Sequence, residues 1–450
     1  GTVGSPGTAK NVITVGASEG VQAFGGADQC GIADTDANSA NDIIGFSSRG
    51  PCTDGRRKPE IVAPGTHISG GVAQTASPGV NGTANACFDA SGVCAGPGAS
   101  NFFPVGQQWY TASSGTSHSC PAVAGGAALL RQYFLNQSLA APSPAMTKAY
   151  LTNSARYMNG TGANDTLWSN NQGMGMMNLG MAFDAAARVL RDQVPGDTFT
   201  ATGQSRTFTG TVPDNTRPFR VSIAWTDAPG STTGNAFNNN LDLTVTVGGM
   251  TYRGNVFSGA NSATGGTADI RNNLESVFIP AGVTGAYVIT VTATNIVSDG
   301  VPNSGGALDQ DFALVVSNGV EGVVPVIAAA GSTLTAESCT PANSVLDPGE
   351  TVTLNFGLQN AGTANTTSLV ATLQATGGVT SPSGPQNYGV VVAGGPTITR
   401  PFTFTVDSGL ACGATVTATF QLQDGATNLG TVTFTFTLGT ASPATTTFSN

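Results

Sequence analysis

Near its first quarter the chain reads Gly115-Thr116-Ser117-His118-Ser119-Cys120-Pro121-Ala122-Val123-Ala124-Gly125. A serine at the head of a helix is placed for chemistry. Its hydroxyl sits at the positive end of the helix dipole, and its own N–H is free to donate to a developing oxyanion. Nucleophilic attack also needs a base to take the hydroxyl proton. The chain has two histidines, His67 and His118. His118 follows the serine by one position, which on a helix turns its side chain about 100° away. Ser117 is therefore a candidate nucleophile with no base beside it. Taken alone, these residues also fit a buried N-cap serine without chemistry.

The elements that would hold Ser117 are legible on either side. "NVITVGAS" and "KPEIVAPGTHISG" read as strands. In "SCPAVAGGAALLRQYFLNQ" Val123, Ala127, Leu130 and Phe134 recur at helical spacing, and the Ala- and Gly-rich remainder predicts a helix buried all round. Pro121 is expected to be tolerated as part of the first turn. "PAMTKAYLTNSA" and "NLGMAFDAAARVLRD" read as two more helices. Alternating strands and helices predict an α/β layer over residues 1–192. From about residue 195 the texture becomes all-β. "SRTFTGTV", "FRVSIAWTD", "LDLTVTVGG", "ESVFIP", "AYVITVTATNI" and "DFALVVSNG" alternate with period two and predict a jelly roll or β-sandwich over 193–320. "EGVVPVIAAAGS" reads as a junction. Further strands in 321–450 predict an immunoglobulin-like sandwich with a frayed tail, "TASPATTTFSN".

Composition narrows the function. Of 450 residues 40% are hydrophobic and only 9% charged, with a net charge of −10. Lysine occurs three times, as Lys10, Lys58 and Lys148. Nucleic acid is excluded as a partner because it requires clustered Lys and Arg. No apolar run reaches the roughly 18 residues of a membrane span. The seven cysteines contain no Cys-x-x-Cys pair, which argues against zinc. Cys30 and Cys52 flank a polar loop, Cys87 and Cys94 flank a short one, and Cys339 and Cys412 stand alone in the last third. Three disulfides with Cys120 left over as a buried thiol are expected, which implies an oxidising, extracellular setting.

The serine segment resembles the signature of subtilisin-like serine proteases, Gly-Thr-Ser-x-x-x-Pro followed by small residues. "FSSRGPCTDGRRKPEIVAPG" (Phe46 to Gly65) and "GSPGTAKNVITVGAS" (Gly4 to Ser18) resemble two further family blocks in the same order. The resemblance covers about residues 1–190 and implies part of a doubly wound parallel sheet. It implies a secreted, bacterial endopeptidase with Ser117 as nucleophile, with Gly115 and Thr116 beside the substrate and Gly4 near the base of the specificity pocket. Subtilisin orders its triad Asp, His, Ser. The family's Asp and His motifs and its oxyanion asparagine precede the block matched by Gly4 to Ser18. Asp34-Thr35-Asp36 lacks the glycine of the Asp motif, and His67 falls in a strand where the family has no catalytic residue. The expectation is that the base, its carboxylate and one oxyanion donor lie upstream, and that these residues alone are inactive.

Residues from about 220 to 295 are similar to the β-domain appended to bacterial alkaline members of the family. Calcium is common in that group, which makes Asp227, Asn240, Asp242 and Glu275 candidate calcium ligands. Asp34, Asp36 and Asn38 begin like a calcium loop but lack its glycine and its terminal glutamate, and read as a surface loop. "LDPGET" (Leu346 to Thr351) reads as a turn. The expected partners are polypeptide substrates, acted on by a monomer that binds neither nucleic acid nor membrane. The alternative is a non-catalytic secreted adhesion protein on a decayed protease scaffold.

Overall fold

The computed structural model describes residues 1–75, 83–85, 101–301, 305–340 and 342–439. Strands β1 (Val15–Ser18) and β2 (Ile61–Pro64) form a parallel pair in the register Val15↔Ile61 to Ser18↔Pro64. The expected doubly wound sheet is represented among the described residues by this pair alone. Beyond it, β3 (Ile68–Gly71), β4 (Asn101–Phe102) and β5 (Tyr110–Ser113) form an antiparallel sheet with β5 central.

Helix α1 (Thr116–Asn136) leaves β5 after a two-residue turn and lies against β1 and β2. It buries Ser119, Val123, Gly126, Leu130 and Phe134, a single stripe at helical spacing. The expectation of a helix buried all round is corrected here. Ala124, Ala128 and Gln132 are exposed, and Leu129 and Leu135 keep 54% and 46% of their surface, because no described element covers that face. Helix α2 (Pro144–Asn153) starts as the sequence predicts, with Ser143 Oγ accepting from Met146 N at 3.0 Å and Pro144 in the first turn. The third expected helix is a correction. Only α3 (Leu179–Ala182) is helical, and Arg188–Asp192 instead forms strand β6. Pairing of β6 with a neighbouring strand outweighs the helix propensity of its two arginines and leucine.

That neighbour belongs to a sandwich of two sheets. One has the order β12 (Leu274–Ile279), β8 (Phe219–Ala224), β14 (Ala313–Ser317), β6. The other has the order β11 (Asn261–Thr264), β10 (Met250–Ser258), β9 (Asn240–Val247), β13 (Gly285–Asn295), β7 (Ser205–Val212), β15 (Val320–Glu321). Phe219, Val221 and Ile223 of one face Leu243, Val245, Ile289 and Val291 of the other. Strands β10 and β11 were not legible in the sequence. β10 carries Gly254 and a left-handed Asn255, and its register with β11 shifts between Tyr252 and Phe257. A Cβ on Gly254 would lie 2.1 Å from Glu275 Oε2, so only glycine fits there.

A second sandwich follows. β16 (Ile327–Glu337), β17 (Thr351–Asn360), β21 (Ile398–Val406) and β19 (Val379–Thr380) form one sheet. β20 (Gln386–Gly389), β18 (Leu369–Leu373), β22 (Thr415–Asp424) and β23 (Thr427–Thr437) form the other. Phe356, Phe402, Phe404 and Phe420 fill the space between them. The second half of the segment read as a junction, from Ile327, begins the edge strand β16, whose small residues and Gly331 bulge hide its alternation. "LDPGET" is a turn organised by Glu350, whose carboxylate accepts from Cys339 N at 3.1 Å and Asp347 N at 3.0 Å.

The cysteine expectation is corrected in part. Cys52, Cys120, Cys339 and Cys412 carry free thiols, so neither Cys30 with Cys52 nor Cys339 with Cys412 is joined. Cys120 is left over as expected, but it is exposed on the open face of α1 rather than buried. Cys30 is disulfide-bonded, and the expectation for Cys87 and Cys94 lies outside the described residues.

The seam between the first part of the chain and the first sandwich is continuous core. Ala224, Leu274, Phe278, Ala313 and Val315 share one apolar cluster with Ile61, Leu130, Met146 and Tyr150. Arg220 of β8 reaches across it. Its buried guanidinium lies 4.4 Å over the Phe278 ring and donates to the carbonyls of Asn153 and Ala155 at the end of α2. All three lysines of the chain meet at the same seam. Lys10 Nζ pairs with Asp227 Oδ2 at 2.7 Å, and Lys58 Nζ with Glu60 Oε1 at 2.5 Å. Lys148 Nζ donates to Lys10 O at 2.7 Å and lies 3.3 Å from Glu60 Oε1.

Burial lowers the Lys148 ammonium to a pKa of about 8, against the opposing pull of Glu60. The unfolded chain holds that proton to about pH 10.4. Between these values the unfolded state binds more protons, so this group makes the fold more stable as pH rises. In urea titrations, wild type should gain about 1.5 kcal/mol relative to Lys148→Met between pH 8 and 9.5. Parallel pH profiles for the two proteins would refute the burial of a charged Lys148.

Candidate active site

Two chain crossings fix the turn before Ser117. At the end of β2, Gly65 N donates to Ser18 O at 2.9 Å, and Gly65 O accepts from Gly115 N at 2.7 Å. A Cβ on Gly65 would lie 2.5 Å from Ser119 Oγ and 2.7 Å from Ala17 Cβ, so glycine is needed for the helix to approach the strand. Ser119 Oγ in turn donates to Pro64 O at 3.2 Å. Gly115 itself has φ +154°, a conformation L side chains rarely adopt. Ser114 Oγ donates to Asp28 Oδ2 at 2.6 Å and accepts from His67 N at 2.9 Å. Ser114 and Gly115 are thus tied to β2, to His67 and to the loop around Asp28.

Ser117 stands in the first turn of α1 with its side chain exposed. Its N–H has no intrahelical acceptor. Pro121 is the sixth helical residue, not a first-turn residue as expected, and lacks the N–H that would otherwise bond the Ser117 carbonyl. Thr116 and Gly115 are half-buried beside it. Gly4 is exposed, with open space where a side chain would project.

Neither histidine serves Ser117. His118 Nε2 contacts Ser113 Oγ at 2.8 Å, and burial lowers its pKa, with Asp28 opposing. His67 is 1% exposed, and its Nδ1 and Nε2 lie 2.6 Å from Gln22 O and 2.9 Å from Ile32 O. No side chain among the described residues hydrogen-bonds to Ser117 Oγ. Asp34, the nearest approach to an Asp motif, accepts from the N–H groups of Phe24, Gly25 and Gly26 instead. Those bonds, led by the one from Phe24, hold its carboxyl below the usual range.

The four candidate calcium ligands each have protein partners. Asp227 is committed to Lys10 and to the N–H groups of Asn238 and Asn239. Asn240 donates to Asp242 at 2.8 Å. Glu275 is fully buried, accepts from Leu243 N at 2.7 Å, and is pushed well above the usual carboxylate range by burial. Asp227, Asp242 and Glu275 form no cluster of ligand atoms among the described residues.

Sequence reasoning missed Asp28, Ser114 and the seam lysines. The scarcity of lysine was visible, but only the fold shows that all three are buried. Ser114 directly precedes the signature and could have been suspected from that alone.

Ser117 thus stands at a helix N-terminus, reached from parallel and antiparallel strands over a glycine, with its N–H and hydroxyl free of intrahelical partners. Residues 1–175 match the model of the subtilase family, and this part of the chain is a subtilisin-like protease portion. It is similar to the serine protease/ABC transporter B family protein tagA of Dictyostelium discoideum, 27% identical over 292 residues, covering 60% of this chain and 15% of that protein. It is also similar to the serine protease AprX of Bacillus subtilis (strain 168), 35% identical over 133 residues, covering 29% of this chain and 23% of AprX. The chain thus spans less than a quarter of either relative. Among solved structures, a GH2 beta-galacturonidase from Eisenbergiella tayi aligns over 53% of this chain and 36% of that one. At 9% identity and a TM-score of 0.20, that likeness carries no argument.

Gly65→Ala should cost about 2 kcal/mol, the range for overpacking a tight contact. Chemical denaturation would measure it, and an unchanged midpoint would contradict the close approach of α1 to β2.

Proposed function

We propose that Ser117 is the nucleophile of a secreted serine endopeptidase acting on polypeptides. The single observation carrying this reading is the exposed Ser117 hydroxyl at the N-terminus of α1, on a turn tied by Gly65, Ser114 and Asp28. In the reaction, Ser117 Oγ bonds to the scissile carbonyl carbon while its proton passes to a base. The Ser117 N–H donates to the oxyanion. The C–N bond breaks, the base returns the proton to the leaving amine, and water cleaves the acyl-enzyme by the reverse path.

The base, its orienting carboxylate and a second oxyanion donor are proposed to lie outside these 450 residues. The open face of α1 and the absence of a described partner for Ser117 Oγ support that placement. In subtilisin itself, losing the histidine alone costs about 10⁶ in kcat, so these residues alone should be inactive. The two sandwiches are read as a jelly-roll domain and an immunoglobulin-like module that position or stabilise the protease. The low charge content and the abundance of Gly, Ser and Thr favour extracellular action. The intact serine turn argues against a decayed scaffold.

A fluorophosphonate probe should leave the 450-residue chain at background. In a longer protein with the complete triad, it should label Ser117 stoichiometrically, and Ser117→Ala should abolish both labelling and casein hydrolysis. Full hydrolysis by Ser117→Ala would end this reading.

A further inference from the structure

His67 is buried against the serine turn but takes no part in the reaction above. Each ring nitrogen faces a backbone carbonyl oxygen: Nδ1 lies 2.6 Å from Gln22 O and Nε2 2.9 Å from Ile32 O. A carbonyl oxygen only accepts, and a neutral imidazole donates from one nitrogen alone. The neutral ring would press a lone pair against a buried carbonyl and leave that ring nitrogen without a donor, even at Ile32 O, which also accepts from Asp28 N at 2.8 Å. The doubly protonated ring satisfies both nitrogens.

The surroundings suit a cation. Asp34 Oδ1 lies 3.7 Å from Nδ1. The Phe24 ring stacks on the imidazole, with centroids 4.2 Å apart. Asp28 faces the same turn through Ser114, and His118, the other titratable group at this turn, is bonded to Ser113. His67 also holds a left-handed backbone, φ +51°, a conformation that histidine adopts more readily than most residues other than glycine.

We propose that His67 is a positioning residue that works as an imidazolium, clamping both ends of the Gln22–Ile32 loop beneath the serine turn. The loop carries Asp28, Asp28 holds Ser114, and Ser114 lies three residues before Ser117. The ring thereby sets the nucleophile's approach without touching substrate. Its catalytic consequence rests on the reading of Ser117 as nucleophile, whereas its protonation does not.

The test is a long-range proton–nitrogen spectrum of the chain labelled with ¹⁵N-histidine. Two rings contribute, and His118→Gln assigns them. The expected result at pH 7 is a His67 ring with both nitrogens protonated and slowly exchanging, and with one released by Asp34→Asn. A bare ring nitrogen in wild-type His67 would overturn the proposal. Amide exchange gives a second readout where ring signals broaden. His67→Gln should lower protection across the Gln22–Ile32 loop at least tenfold while His118→Gln leaves it unchanged, and equal protection in all three proteins also overturns it. In a protein with the complete triad, His67→Gln should lower kcat three- to tenfold with KM unchanged. Loss of hydrolysis in Ser117→Ala tests the nucleophile separately.

Discussion

The buried ion network at the seam is the constraint on which the architecture depends. Lys10, Lys58 and Lys148 leave water together with Glu60 and Asp227, each at most 9% exposed. Burial of such a group is costly, and the pairs recover that cost only with good geometry and further hydrogen bonds. Those bonds come from both sides. Lys10 donates to Ala236 O at 2.6 Å, Glu60 accepts from Thr14 N at 2.7 Å, and Asn11 and Asp227 exchange backbone and side-chain bonds. Of the ion pairs, Lys10 with Asp227 crosses from the protease portion to the first sandwich, and removing either partner would leave an uncompensated buried charge at a cost of about 3–5 kcal/mol. The polar network therefore fixes register, and the apolar cluster around Tyr150 and Phe278 supplies the bulk of the attraction.

From that seam the order extends to the serine turn. Glu60 immediately precedes β2, and β2 delivers Gly65 to the head of α1. The helix is then held on one stripe by Val123, Leu130 and Phe134. Phe134 meets Tyr150 of α2 edge-on, with centroids 5.6 Å apart, and α2 rests on the sandwich. The sandwich thus supports the serine turn through two helices.

Much of this was legible in the sequence where local signals agreed. The stripe of α1, the Ser143-Pro144 start of α2 and the alternation of β7, β8 and β13 each follow from a period or a cap. The failures have a common physical cause, in that pairing partners distant in sequence decided the outcome. Arg188–Asp192 looks helical until β14 offers it a ladder. β10 and β16 lose their alternation to bulges at Asn255 and Gly331. At the site, the serine and its flanking glycine could be read directly. The clamp through Asp28, Ser114 and His67 could not, because it joins residues separated by 39 to 86 positions.

The placement of the lysines has a further consequence. With all three ε-amines at the seam, the folded exterior carries its positive charge on arginine guanidiniums alone. Amine-directed chemistry, whether glycation, acylation, isopeptide tagging or aldehyde crosslinking, finds no lysine to react with until the seam opens. Cleavage after lysine meets the same obstacle. Interior lysines thereby give the surface a chemical inertness that surface lysines would remove.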